Sequence, residues 1–257
     1  MTLPDTADWT ALGDELARWH AAGRVADLWW RDDDAVTATP ALDRMLALAA
    51  AHGVFPVLAV IPARADDRLF HSLDPWPRVM VAQHGWAHTN HAVPPAKKCE
   101  LGADRPTAVV LDELARGRDR LAALFGARFR PVLVPPWNRI ADPVAAALGG
   151  AGFTGLSTFA PRKAAPPGLV PVNTHSDPIA WRHGGGLDAG AALAAAVAHL
   201  AARREGRADP GEPTGLLTHH LVQDEGTWAF VDRFIHVTAA HPAVRWLDGD
   251  AVFGSHA

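Results

Sequence analysis

The sequence predicts an α/β barrel of seven or eight parallel strands, and three observations support this prediction. Short apolar segments of strand length alternate with longer amphipathic segments along the chain. Several of the short segments are almost continuously hydrophobic, as expected of parallel strands buried on both faces. Polar clusters recur directly after these strands, and in a barrel such positions converge on one mouth. An open doubly wound sheet is the alternative, but no glycine-rich phosphate loop follows the first strand.

The elements follow in chain order from hydrophobic periodicity and from helix start and stop signals. A leading helix over 8–22 places Leu12, Leu16 and Trp19 on one face, with Asp8 as its N-cap. Strands are predicted over 26–31, 54–61, 79–83, 131–134, 153–157, 170–173, 215–218 and 244–247. Further helices are predicted over 39–51, 107–125, 188–204 and 227–241, with a short one beginning at Asp142. The segments 62–77 and 92–106 are predicted to be loops.

Composition indicates an ordinary globular protein. With 257 residues, 49% hydrophobic and 20% charged, the chain suits a single domain over 1–257 with a barrel core of about 26–247. A net charge of −4 and a pI near 6.4 indicate neither a nucleic-acid nor a membrane partner. Neither a secretory signal nor a membrane-spanning run is visible, so we expect a cytoplasmic protein. A lone cysteine, Cys99, excludes an intramolecular disulfide, and the sequence leaves the oligomeric state open.

Two polar clusters carry the functional signal. His84, His88 and His91 follow the strand 79–83, and the three aspartates 32–34 follow the strand 26–31. A spacing of four is expected to place His84 and His88 on one face of a helical turn, where both imidazoles reach one ion at about 2.0–2.1 Å. Consecutive carboxylates repel one another, and a divalent cation offsets their charge. Either cluster alone is equally typical of a solvated loop or a helix cap, but the two together favour a metal site.

The order of these motifs resembles that of the polysaccharide deacetylase family, also known as carbohydrate esterase family 4 or the NodB homology superfamily. An Asp-Asp pair after the first strand precedes His-x-x-x-His, then a Pro-aromatic turn at Pro135-Pro136-Trp137, then a late Leu217-Thr218-His219. The resemblance covers about 26–247. It implies a distorted (β/α)-barrel that hydrolyses N- or O-acetyl groups with one divalent metal ion, usually zinc, with cobalt, nickel or manganese as alternatives.

The resemblance also assigns roles to residues. It makes Asp33 the general base and His219 the general acid, with Asp34, His84 and His88 as the metal ligands. The pair Asp32–Asp33 is the alternative to Asp33–Asp34, and His220 is the alternative acid. Residues expected to contact a small-molecule or glycan substrate are Pro136, Trp137, Asn138, Asp177, Trp181 and His220.

This chain also departs from the family pattern. Val134 stands where the family has an arginine that tethers the catalytic aspartate, so Arg31 or Arg139 is expected to supply that charge. Ala35 replaces a glycine of the first motif. These departures weaken the expectation that the substrate is chitin or peptidoglycan more than they weaken the expectation of a metal-dependent hydrolase. The sequence therefore predicts a deacetylase acting on a sugar or a related small molecule. Its alternatives are a non-catalytic carbohydrate-binding barrel and a metal-dependent amidase acting on another C–N bond.

Overall fold

The computed structural model describes residues 8–163, 166, 168–181 and 184–254. Eight strands of this part of the chain form one sheet, and every pair of neighbouring strands is parallel. The strands are β1 (Ala26–Ala35), β2 (Val57–Val60), β3 (Met80–His84), β4 (Phe129–Val134), β5 (Gly155–Leu156), β6 (Val170–Pro171), β7 (Thr214–Thr218) and β8 (Val244–Leu247).

The sheet curves into a distorted barrel, which confirms the predicted fold class. Its strand order is β6-β5-β4-β3-β2-β1-β7. β8 pairs with the first residues of β1, Ala26 to Trp29, and β2 pairs with the last ones along the same edge of that strand. Single bridges from Phe159 to Thr174 and from Ser176 to Leu216 join the segment after β6 to both of its neighbours. The barrel is therefore closed by isolated bridges where the sheet itself is interrupted.

Helices cover the outside of the barrel. They are α1 (Trp9–Ala21), α2 (Pro40–His52), α3 (Asp67–Ser72), α4 (Thr107–Phe125), α5 (Asp142–Ala147), α6 (Ala189–Arg204), α7 (Glu225–Ala239) and α8 (Gly249–Phe253). Side-chain oxygens of Asp8, Thr39, Asp188 and Asp224 cap four of them, and such a cap contributes about 1 kcal/mol. No helix in the described ranges is long and apolar enough to span a membrane.

Burial on both faces explains why the strands are so apolar. Trp30 packs in the cluster beneath the surrounding helices, whereas its neighbour Trp29 packs inside the barrel. Likewise, Val57 packs inside the barrel and Leu58 packs beneath the helices, because successive side chains of a strand point to opposite faces. Both faces of the sheet thus exclude water, and the polar groups of these strands concentrate at their carboxyl ends.

Several predicted boundaries differ from the structure, and the largest differences concern β1, the short strands β5 and β6, and two short helices. β1 extends to Ala35 rather than ending at residue 31, because it continues to pair with β2 as far as Ala35 and Val60. β5 and β6 contain only two residues each, because single bridges replace continuous pairing there. The predicted loop 62–77 contains α3, whose first turn is capped by Asp66, and α8 follows the last strand. Both helices are too short to give a clear periodicity.

Candidate metal centre

β1 delivers two consecutive carboxylates to one cavity because the strand is irregular near its end. In a regular strand Asp33 and Asp34 would point to opposite faces. Here the register with β2 shifts between Asp32 and Ala35, and Asp34 has a φ of 73°. Both carboxylates consequently line the same cavity. The aspartates lie within the strand, and a bulge rather than a following loop positions them.

A tight loop, not a helical turn, brings the two histidines together, so the expected helical geometry is wrong. His84 is the last residue of β3 and His88 lies in the loop that follows, with a φ of 57°. Gly85 between them has a φ of 58°, and a Cβ there would lie 2.0 Å from an oxygen of Glu100. Only glycine fits this position.

The three expected ligands face one another. The Nε2 atoms of His84 and His88 lie 3.2 and 3.3 Å from Asp34 Oδ1. His84 Nδ1 donates a hydrogen bond to the Val134 carbonyl at 2.9 Å, which leaves the Nε2 lone pair directed at the carboxylate. Asp34 Oδ1 is buried and accepts no hydrogen bond within the described residues. Lone pairs that converge in this way fit a divalent cation, and the open cavity leaves coordination positions for water and substrate.

Electrostatics favour the ionised form of Asp34. Burial alone would raise its pKa, but the adjacent His84, together with the charges of His219 and His88, holds the pKa of this carboxyl well below its usual range. For His88, burial and the neighbouring charge of His84 lower the pKa. Ligation requires an ionised carboxylate and neutral imidazoles, and the lowered pKa values of Asp34 and His88 favour these forms. For His84, burial alone would lower the pKa, but the charge of Asp33 and the contact with Asp34 raise it above its usual value.

Arg31 supplies the charge that Val134 does not. Its guanidinium donates to both oxygens of Asp33, at 2.9 and 3.0 Å. The remaining donors bond to Ser157 Oγ and Asn138 Oδ1, both at 2.7 Å, and the Arg31 side chain is completely buried. Such a two-point contact fixes the orientation of the carboxylate as well as its charge.

Arg139, the other expected source of charge, points elsewhere. Its Nη1 donates to the Lys98 carbonyl at 2.8 Å, and both side chains lie on the cavity wall. Arg139 therefore belongs to the wall of the cavity and forms no ion pair with Asp33.

His219 follows β7 and lines the cavity. Its Nδ1 is buried without a hydrogen-bond partner in the described chain. The Trp181 ring meets it edge-on with centroids 4.8 Å apart, and Trp181 Nε1 donates to Asp177 at 2.8 Å. Burial raises the pKa of Asp177, while the charge of His219 lowers it. The structure thus brings together His219, Asp177 and Trp181 in the lining of one cavity.

Three of the other named residues lie outside the described cavity lining. His220 is buried and directs Nδ1 to Asp32 Oδ1 at 2.5 Å, so it is placed neither as the acid nor as a substrate contact. Asp32 is equally buried behind the wall, and the alternative pair Asp32–Asp33 therefore does not face the cavity together. Pro136 packs against Gly85, while its neighbours Trp137 and Asn138 do reach the cavity.

The cavity has a volume of about 890 Å³. Its polar end contains the carboxylates and histidines described above, and its apolar walls come from Trp137, Phe159, Ile179, Trp181 and alanines of α6. The lining residues Asp34, His88, Trp137 and Asn138 have backbone φ angles between 54° and 73°. Non-glycine residues rarely adopt this conformation, and such strain concentrates at functional sites.

Sequence reasoning missed Glu100. This buried carboxylate accepts hydrogen bonds from the backbone N–H groups of Trp86, Ala87 and Thr89, at 3.2, 2.8 and 3.3 Å. It therefore shapes the loop that carries His88. Its position in a segment predicted to be an exposed loop gave no signal of this role.

A second group of two histidines and a carboxylate lies between β6, α6 and β7. His175 and His199 stack with centroids 3.4 Å apart, and their Nε2 atoms lie 3.6 and 3.7 Å from the oxygens of Glu212. Gly215 N–H donates to His175 Nδ1, so the neutral ring carries its proton on Nε2. Stacked rings also direct their lone pairs in parallel. A protonated Nε2 makes the neutral His175 a poor metal ligand, although at these distances both Nε2 atoms are buried without a hydrogen-bond partner among the described residues. Burial lowers the pKa of His175 to about 4.

No protein-family model matches the chain, and no curated protein matches it by sequence. Solved structures do resemble it. A candidate polysaccharide deacetylase from Mycobacterium smegmatis has a TM-score of 0.62 at 18% identity, over 88% of each chain. A family 4 carbohydrate esterase from Streptomyces lividans, in complex with acetate, has a TM-score of 0.56 at 15% identity, over 85% of this chain and 90% of that one.

A family 4 acetyl xylan esterase from Clostridium thermocellum, in complex with a cobalt ion, is also similar. Its TM-score is 0.51 at 12% identity, over 86% of this chain and 87% of that one. These likenesses show that the chain has the fold of carbohydrate esterase family 4 structures, and they confirm the resemblance at the level of the fold.

Proposed function

We propose that this protein is a metal-dependent hydrolase that removes N- or O-acetyl groups from a sugar or a related small molecule. The observation that carries the proposal is the grouping of three kinds of chemical group in one cavity. These are a ligand set (Asp34, His84 and His88), an arginine-bound carboxylate (Asp33) and a histidine on the neighbouring strand end (His219). The fold shared with an esterase bound to acetate supports the same chemistry.

Asp34, His84 and His88 would hold the ion. A divalent cation, zinc first among the candidates with cobalt, nickel and manganese as alternatives, supplies a Lewis acid for water and for the acyl carbonyl. The protein's own contribution is the arrangement of ligands. His84 is oriented by its bond to the Val134 carbonyl, and the loop of His88 by Glu100.

Asp33 is the proposed base. Its carboxylate accepts a proton from the attacking water as the water oxygen bonds to the acyl carbon. Arg31 donates one hydrogen bond to each oxygen of Asp33, which holds the carboxylate in place and leaves the second lone pair of each oxygen free to accept the proton. His219 is the proposed acid and donates a proton to the nitrogen or oxygen that leaves when the acyl bond breaks. Acetate and the free amine or alcohol are the products.

The walls of the cavity suit a sugar or a similarly sized ring. Trp137 and Trp181 offer aromatic faces beside the ligand set, and Asn138 offers an amide. A volume of about 890 Å³ is within the range of pockets that bind small molecules. The absence of an arginine at position 134 favours the non-catalytic alternative, but Arg31 pairs with Asp33 and supplies the missing charge.

The test is acetate release by zinc-loaded protein from N-acetylglucosamine oligomers and acetylated xylo-oligosaccharides, with cyclic amides as the competing substrate class. Asp33→Asn should lower kcat at least 100-fold with unchanged zinc content. Asp43→Asn, the same substitution on the exposed face of α2, is the matched control. An Asp33→Asn enzyme that retains its rate contradicts the base assignment. Saccharide binding without turnover supports the non-catalytic barrel, and turnover of cyclic amides alone supports the amidase.

A further inference from the structure

We propose that Asp32 and His220 form a buried clamp that positions the bulged end of β1. In this role they keep Asp33 and Asp34 in one cavity with His219. Neither residue belongs to the groups assigned above to base, acid or metal ligand. The inference rests on the proposed function, since it concerns how those groups are held.

The bulge needs such support because its backbone is strained. Asp34 has a φ of 73°, and a non-glycine residue in this region persists only where the surrounding structure enforces it. On the far side of the bulge, Ala35 pairs with Val60 of β2, and its carbonyl accepts from Ile61 N–H at 3.0 Å. Any residue could make these backbone contacts, so they do not select the irregular conformation.

On the near side, Asp32 makes three hydrogen bonds to the end of β7. Its Oδ1 accepts from His220 Nδ1 at 2.5 Å, and its Oδ2 accepts from Thr218 Oγ1 at 2.6 Å and from His220 N–H at 3.0 Å. Thr218 in turn accepts from Trp30 Nε1 at 2.8 Å. Asp32 is fully buried and His220 is 1% exposed. The Asp32 carboxylate is thus held by Thr218, which Trp30 holds in turn, and by the buried His220.

The position of the clamp links it to the site. Asp32 and Thr218 are paired in register across β1 and β7. The next residues along β1 are Asp33 and Asp34, and His219 lies between Thr218 and His220, the two residues that donate to Asp32. A shift of the clamp therefore moves the base, one metal ligand and the acid relative to one another. Because the clamp residues themselves lie behind the cavity wall, they act through their neighbours and are positioning residues.

The experiment compares four variants with wild type. Asp32→Ala removes both acceptor oxygens and therefore all three hydrogen bonds, and His220→Leu removes the Nδ1 donor. His220→Asn keeps a donor near the Nδ1 position and serves as the conservative rescue. Thr238→Val removes a buried hydroxyl on α7 and controls for lost stability remote from the site. Measured quantities are kcat and KM for acetate release, the zinc Kd by competition with a chelator, and Tm.

His220→Leu and Asp32→Ala should lower kcat and weaken zinc binding, each by about 10–100-fold, with KM unchanged within about threefold. His220→Asn should recover most of both losses, and Thr238→Val should lower Tm alone. If Asp32→Ala does not fold, the two His220 variants decide the question. A His220→Leu protein with wild-type kcat and zinc Kd but a lowered Tm overturns the clamp. Zinc binding is measured without substrate, so tight binding by a wild type that releases no acetate counts against the proposed function and not against the clamp.

Discussion

The pairing of Arg31 with Asp33 leads to a quantitative prediction for Arg31→Met, which keeps the aliphatic part of the side chain and removes the charge. Arg31 is fully buried and Asp33 is 2% exposed. The variant leaves a carboxylate buried without its cation, and Ser157 and Asn138 also lose a partner. Breaking one side of a buried ion pair costs about 3–5 kcal/mol. We expect Arg31→Met to lose this much of its free energy of unfolding.

Asp33→Asn should cost less, about 1–3 kcal/mol, because Arg31 keeps its bonds to Ser157, Thr158 and Asn138. The double variant removes both charges, so its loss should be smaller than the sum of the two single losses by about 1–3 kcal/mol. Urea unfolding monitored by tryptophan fluorescence, with a chelator present to remove metal ions, measures all four proteins. An Arg31→Met protein within about 1 kcal/mol of wild type, or strictly additive losses, would show that Arg31 does not stabilise the buried Asp33 carboxylate.

Three further predictions concern the acid, the His88 loop and acid stability. His219→Asn should lower kcat about 100-fold or more while zinc content stays unchanged; loss of zinc instead would make His219 a ligand. Glu100→Ala should weaken zinc binding about 10–100-fold, because the loop of His88 loses its three N–H partners; an unchanged zinc Kd would show that the loop holds its shape alone. Burial lowers the pKa of His175 from 6.5 to about 4, so its contribution to stability is complete above pH 6.5 and is lost as the pH falls towards 4. Urea unfolding of metal-free protein should show that His175→Asn removes about 3 kcal/mol of the loss between pH 7 and pH 4, and an unchanged loss would contradict this.

The fold could be predicted because its signals are local. Continuous apolar runs marked the parallel strands, and the polar residues after each run marked one mouth of the barrel. His84 and Asp34 come together because β3 and β1 lie on either side of β2 and end at the same edge of the sheet. These inferences need only strand direction and residue chemistry. Trp137 and His219 follow instead from the resemblance of the motif order to a known family.

The details that make the site work are not local and could not be predicted. The bulge at Asp34 depends on Asp32 bonding to residues 186 and 188 positions away, and no pattern around position 34 indicates it. Arg31 finds its partners on β1, after β4 and after β5. The loop that turns His88 towards Asp34 depends on Glu100, whose segment appeared to be an ordinary polar loop.

Zinc titration of chelator-treated protein tests whether Asp34, His84 and His88 form the metal site. Wild type should bind one zinc ion per chain, and Asp34→Ala should bind none. Glu212→Gln, which alters the other histidine–carboxylate group, should bind one ion as wild type does. Retention of zinc by Asp34→Ala, or its loss from Glu212→Gln, would contradict the account and move the metal site to the group formed by His175, His199 and Glu212.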